Sequence, residues 1–89
     1  MTVRKRVRAH GRVQGVFFRD SVRRAAEEAG VAGWAENRTD DTVEAVFEGE
    51  ADAVQRLVEL CRGGPGASEV ERLDVTEEEP EGLRGFGVR

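Results

Sequence analysis

A chain of 89 residues closes one modest hydrophobic core and no second one, so residues 1–89 are expected to form a single domain. Charged residues make up 36% and apolar ones 38%, which excludes a disordered composition, and no apolar run is long enough to cross a membrane. A formal net charge of −4 argues against a general nucleic-acid binder, and the single Cys61 against a disulfide framework or a cysteine-rich metal cage. No charged-then-apolar leader opens the chain, so the cytoplasm is the expected compartment. A monomer is the default.

Val3 to His10 alternates, with Val3, Lys5, Val7 and Ala9 on one face and Arg4, Arg6, Arg8 and His10 on the other. That pattern predicts a strand with a solvated face, Lys5 being its one blemish. Gly11 to Phe18 forms a loop, after which Phe18, Val22, Ala25, Ala26 and Ala29 recur at helical spacing until Gly30 ends the helix. Val31 to Arg38 reads as a second strand and Thr39-Asp40-Asp41-Thr42 as its turn. The third strand, Val43 to Glu48, sends Val43, Ala45 and Phe47 to the core.

A second amphipathic helix carries Ala51, Val54, Leu57, Val58 and Cys61, with Asp52 near its positive end, and Gly63-Gly64-Pro65-Gly66 stops it. Val70 to Thr76 is a fourth strand whose apolar phase slips between Val70 and Leu73, suggesting a bulge or a late start. Phe86 and Val88 mark a short final strand. Basic Arg4, Lys5, Arg6, Arg8, Arg12 and Arg19 open the chain, while Glu69, Glu71, Asp74, Glu77, Glu78, Glu79 and Glu81 load its end. The two runs neutralise each other if their strands lie side by side.

Strand, helix, strand, strand, helix, strand is the α+β order called ferredoxin-like (βαββαβ), a sandwich of an antiparallel sheet with two helices on one face. Right-handed crossovers leave little other choice.

The stretch from Gly11 to Arg19 carries the chemistry. Two glycines let the backbone turn tightly with several amides converging, and the positive end of the next helix and Arg19 follow at once. A plain strand-to-helix turn would also fit that spacing; a cradle for a phosphate is the functional reading. It is neither the nucleotide-binding loop, since no Lys follows Gly15, nor the dinucleotide fingerprint.

Gly11-Arg12-Val13-Gln14-Gly15-Val16-Phe17-Phe18-Arg19 resembles the acylphosphatase signature, and Gly33-Trp34-Ala35-Glu36-Asn37 resembles that family's second motif, in the right order and separation. Gly64-Pro65-Gly66-Ala67 and the closing Phe86-Gly87-Val88-Arg89 extend the resemblance over essentially the whole chain. It implies a metal-independent enzyme without cofactor that hydrolyses acyl phosphates to a carboxylate and inorganic phosphate, the latter acting as product and inhibitor. Arg19 then matches the family's phosphate-binding arginine, Asn37 the asparagine that positions water, and the amides of Gln14, Gly15, Val16, Phe17 and Phe18 its phosphate-binding loop. The resemblance also implies that the loop curls over the sheet end towards Asn37.

That chemistry suits this residue set. A carboxylate already leaves well, so no strong general acid is needed, and a loose phosphoryl-transfer transition state asks for charge stabilisation and an in-line water. Asn cannot act as a base, but its carbonyl can accept a hydrogen bond from water.

Other residues read as structural. His10 lacks a second ligand, Cys61 sits on an apolar helical face, Trp34 and Phe47 suit packing, and Asp40-Asp41 suits a solvated turn. Three departures from the family pattern stand out: Glu36 where a basic or neutral residue is frequent, Asp41 where a turn glycine is frequent, and the double glycine Gly63-Gly64 where a glycine-proline pattern is common. Alternation points Glu36 away from Asn37, and a turn without glycine is expected to be looser or longer. The competing reading is a non-catalytic ferredoxin-like module that binds an anion, RNA or a protein through Arg4, Arg6, Arg8 and Arg38.

Overall fold

β1 (Thr2–Arg12) is the strand from which the sheet grows, because it pairs on both sides. The computed structural model describes residues 1–89, and after β1 come α1 (Phe18–Ala29), β2 (Ala32–Asn37), β3 (Val43–Glu50), α2 (Ala51–Gly63), β4 (Glu69–Glu78) and β5 (Phe86–Val88). The strands lie in the order β4-β1-β3-β2-β5. Lys5 faces Phe47, Val7 faces Ala45 and Ala9 faces Val43 across the β1–β3 ladder. Val7, Ala9, Val43, Ala45 and Phe47 meet Phe18, Val22 and Ala26 of α1 and Val54, Leu57, Val58 and Cys61 of α2 in one core. Phe47 is wholly buried there, a burial worth about 1.5–3 kcal/mol for a side chain of its size. Both helices cover the same face, as the alternation requires.

The sheet is mixed rather than wholly antiparallel. β5 runs parallel to β2, with Gly33, Trp34 and Ala35 opposite Phe86, Gly87 and Val88. The cause is topological: β4 ends beside Arg4 and β2 begins beside Glu48, both at the same end of the sheet. A chain returning from that end to the far edge must travel in the direction of β2.

The face predicted to be solvated is largely buried. Arg4 is 3% exposed, Glu48 4%, Glu44 8% and Val46 not at all. Residues 79–85, which join β4 to β5, reach this face, and the amides of Glu81, Gly82 and Leu83 donate to the Glu48 carboxylate at 2.8, 2.7 and 2.8 Å. The basic start and acidic end of the chain do lie side by side: Arg4 Nε and Arg6 Nε both reach Glu78, at 2.9 and 2.7 Å. His10 Nε2 lies 2.8 Å from Asp74 on the same two strands.

The slipped phase of β4 is a bulge. His10 faces Arg72 and Gly11 faces Val70, leaving Glu71 as the extra residue. Gly11 has φ +127°, and a Cβ there would lie 2.3 Å from the Glu69 carbonyl oxygen. Only glycine lets the two strands approach so closely.

Candidate active site

Between β1 and α1 the chain turns through two left-handed residues, Gly15 at φ +72° and Phe17 at φ +63°. Glycine takes that conformation freely; for Phe17 it is strained, which marks a segment held by its surroundings. Phe17 is also the N-cap of α1, and no side chain caps the helix. No turn, loop or cap hydrogen bond uses an amide between Gln14 and Asp20 as donor. Several N–H groups at the positive end of the helix are therefore left without a protein acceptor, which is what an anion site requires.

Beside them is a cleft of about 480 Å³ lined by Gly15, Phe17, Arg19 and Asn37, with Val13, Phe18, Asp20, Arg23 and Val88 completing its walls. Arg19 and Asn37, eighteen positions apart in sequence, thus come from α1 and the end of β2 to one cavity. Arg19 Nη1 donates to the Arg89 carbonyl oxygen at 2.6 Å, which fixes the guanidinium while leaving other donors open. No side-chain carboxylate pairs with it. Asp20 lies in the same wall, but Arg23 bonds it at 2.6 Å and Arg24 at 3.2 Å, and the Arg23 contact holds its carboxyl below the usual range. Its charge is answered locally, so the open cation of the cleft is Arg19.

Asn37 sits opposite Val43 in the β2–β3 ladder, on the helix side with Ala35, and its carboxamide makes no hydrogen bond to the rest of the protein. Glu36 points the other way, to Arg38 Nη1 at 3.1 Å, as alternation predicts. Of the five residues assigned to the loop, Gly15, Phe17 and Phe18 line the cleft, whereas Gln14 and Val16 do not. Gln14 instead turns its side chain to the β2–β3 hairpin and donates through Nε2 to the carbonyls of Arg38 and Thr42, at 2.8 and 2.9 Å. Val16 offers its carbonyl to the amide of Ala67 at 3.1 Å. These two ties bring the loop over the sheet end beside Asn37. Neither was readable beforehand, because a glutamine side chain and a Gly-Ala turn carry no local sign of their partners.

A family model for acylphosphatase matches residues 5–88. The chain belongs to the acylphosphatase family. An acylphosphatase of Rubrobacter xylanophilus is 59% identical over 99% of this chain and 81% of its own length, and one of Gloeobacter violaceus is 57% identical over 92% of each. Among solved structures, the crystal structure of acylphosphatase from Bacillus subtilis superposes with a TM-score of 0.93 at 39% identity, covering 100% of this chain and 99% of that one. An acylphosphatase from Coxiella burnetii superposes equally well at 39% identity, over 99% and 93% of the two chains.

As an acylphosphatase the protein is an enzyme, and the sheet face away from the helices gives the rival module nothing to work with. Arg6 pairs with Glu44 and Glu78, Arg8 with Asp40 and Glu44, and Arg38 with Glu36 and Glu44. Arginines already neutralised this way are poor partners for a polyanion. Cys61 is buried in the core, where desolvation pushes its thiol up to about 12, so it is packing and not a nucleophile. Trp34 lies between Arg6 and Arg89, whose guanidinium carbons are 5.4 and 4.3 Å from its ring centre.

Proposed function

We propose that this enzyme hydrolyses acyl phosphates to a carboxylate and inorganic phosphate, with Arg19 and the loop amides holding the phosphoryl group and Asn37 placing the attacking water. One observation carries the reading: Arg19 and Asn37 line one cleft at the uncapped N-terminus of α1. Charge developing on the equatorial phosphoryl oxygens is met by fixed donors that need no reorganisation. The carbonyl of Asn37 accepts one hydrogen bond from water and orients its lone pair at phosphorus. The new P–O bond forms as the bond to the acyl oxygen breaks, and the carboxylate leaves with that electron pair. Water's surplus proton passes to the product phosphate or to solvent, so no base and no acid of the protein is required.

The same reading makes inorganic phosphate a competitive inhibitor, since it fits the same cradle. It also takes the protein as a monomer: edge strand β4 is dense in Glu and edge strand β5 is three residues long, and both discourage edge pairing. The cytoplasm suits the free thiol of Cys61. Benzoyl phosphate hydrolysis in excess chelator is the test, run beside Arg19→Ala and Asn37→Ala. The parent should be active and insensitive to chelator, and each substitution should lower turnover at least ~10²-fold, the loss typical of one preorganised donor. A folded parent no faster than the uncatalysed reaction would end this reading.

A further inference from the structure

The cleft has an apolar lip that phosphate binding does not use. Phe17 is 76% exposed and Val88 43%, and both line the cleft that holds Arg19 and Asn37. Apart from these two, only Met1 and Val75 are exposed among the large hydrophobic residues. Scattered exposed apolar residues are ordinary, but two that line one cavity together are a surface. The Phe17 ring contributes nothing to the core, since its neighbour Phe18 fills that role at 2% exposure. Its left-handed backbone, at φ +63°, is one that Gly or Asn adopts at lower cost. Gly66 lies against the backbone of Val16 and Phe17, where a Cβ would come within 2.6 and 3.2 Å of their carbonyl oxygens, so the loop is held while the ring stands free. At about 480 Å³ the cleft also exceeds what a phosphoryl group fills.

Resting on the hydrolytic reading above, we infer that Phe17 and Val88 form a shelf for the acyl half of the substrate, so that the enzyme selects apolar and above all aromatic acyl phosphates over acetyl phosphate. An aromatic acyl group would lose water against both side chains when its phosphate is seated at Arg19, and an acetyl group is too short to gain from either.

The experiment compares kcat/KM for benzoyl and acetyl phosphate in the parent, Phe17→Asn, Phe17→Leu and Val88→Ser. Asn keeps the left-handed backbone and removes the ring; Leu restores an apolar surface. The benzoyl-to-acetyl ratio should fall about tenfold in Phe17→Asn, mainly through the KM for benzoyl phosphate, and less in Val88→Ser. Phe17→Leu should recover most of it. Inhibition by inorganic phosphate, measured in each variant, reports on the cradle separately. An unchanged ratio in both Phe17→Asn and Val88→Ser overturns the shelf while leaving hydrolysis intact. Should a variant lose turnover of both substrates, inhibition or binding by phenylphosphonate relative to methylphosphonate reads the same preference without catalysis, and no preference in the parent overturns it. A parent inactive on both acyl phosphates sinks the hydrolytic reading instead, and the phosphonate pair still judges the shelf.

Discussion

Asp41 holds a backbone that its side chain resists. With φ +71° it closes a three-residue hairpin loop, Thr39 to Asp41, in which the Arg38 amide donates to the Thr42 carbonyl at 2.9 Å and the Asp41 amide to the Arg38 carbonyl at 3.3 Å. The loop is thus short and closed by two backbone bonds, with Asp41 in the left-handed conformation that glycine takes freely. Asp40 stiffens it by accepting from the Thr42 hydroxyl at 2.6 Å and the Thr42 amide at 3.1 Å, contacts that hold its carboxyl below the usual range. Replacing Asp41 by Gly should remove the strain and stabilise the protein by about 0.5–1 kcal/mol, part of the gain being offset by the freer unfolded chain. The melting temperature should rise by about 2–6 °C with benzoyl phosphate turnover unaltered; a Tm equal to or below the parent's would show that the position carries no strain. Asp41 stood out in the sequence as a missing glycine. Lys5 stood out as a charge in an apolar row, but its resolution, an Nζ bond of 2.8 Å to Gln55 on α2, lies fifty residues away and has no local sign.

Elements set the distance between the two halves of the cleft, and one glutamine controls it. Gln14 bridges the β1–α1 loop to the hairpin that begins after Asn37, giving both amide hydrogens to carbonyl oxygens. Gln14→Ala should loosen this tie, costing about 1 kcal/mol in stability and roughly tenfold in kcat/KM for benzoyl phosphate. Gln14→Glu is the sharper case. A carboxylate has no hydrogen to donate and would set its charge against two carbonyl oxygens, so it should be worse than Ala in both respects. In either variant kcat should fall more than phosphate inhibition weakens, because the loop that carries the cradle amides is still tied by the Ala67 amide to the Val16 carbonyl while Asn37 drifts. Equal loss in both parameters would place Gln14 in phosphate binding instead. The loop and helix were legible from Gly15, Arg19 and the apolar spacing of α1, and the slipped phase between Val70 and Leu73 announced the bulge at Glu71. What periodicity cannot give is which loop touches which, since Gln14, Arg38, Val16 and Ala67 meet only after the sheet has formed.

Across the whole molecule, the alternation of β1 correctly sorted two faces but assigned one of them to water. The sequence pattern of arginines is the same whether a face is solvated or covered, and the cover here, residues 79–85, leaves β4 for a parallel strand that no local pattern foretells. The covered charges make acid the test of the fold. Glu78 bonds Arg6 and Arg4, which hold its carboxyl near about 2 against an ordinary 4.5. For Glu48, burial pushes the carboxyl up, yet the amides of Glu81, Leu83 and Gly82 together with Arg4 outweigh it and leave it lowered. A carboxyl lowered by folding adds stability that is complete above its unfolded value and is lost as pH falls through its folded one. The urea midpoint should hold level from pH 7 to about 5, then fall between about 4.5 and 2 as the unfolded state takes up the protons first. Glu78→Gln should be less stable than the parent at pH 7, decline more gently with acid, and converge with it near pH 2. Parallel profiles for the two proteins would mean that the Arg4–Arg6–Glu78 cluster neutralises charge without stabilising the fold, and that the basic first strand is held by its ladders alone.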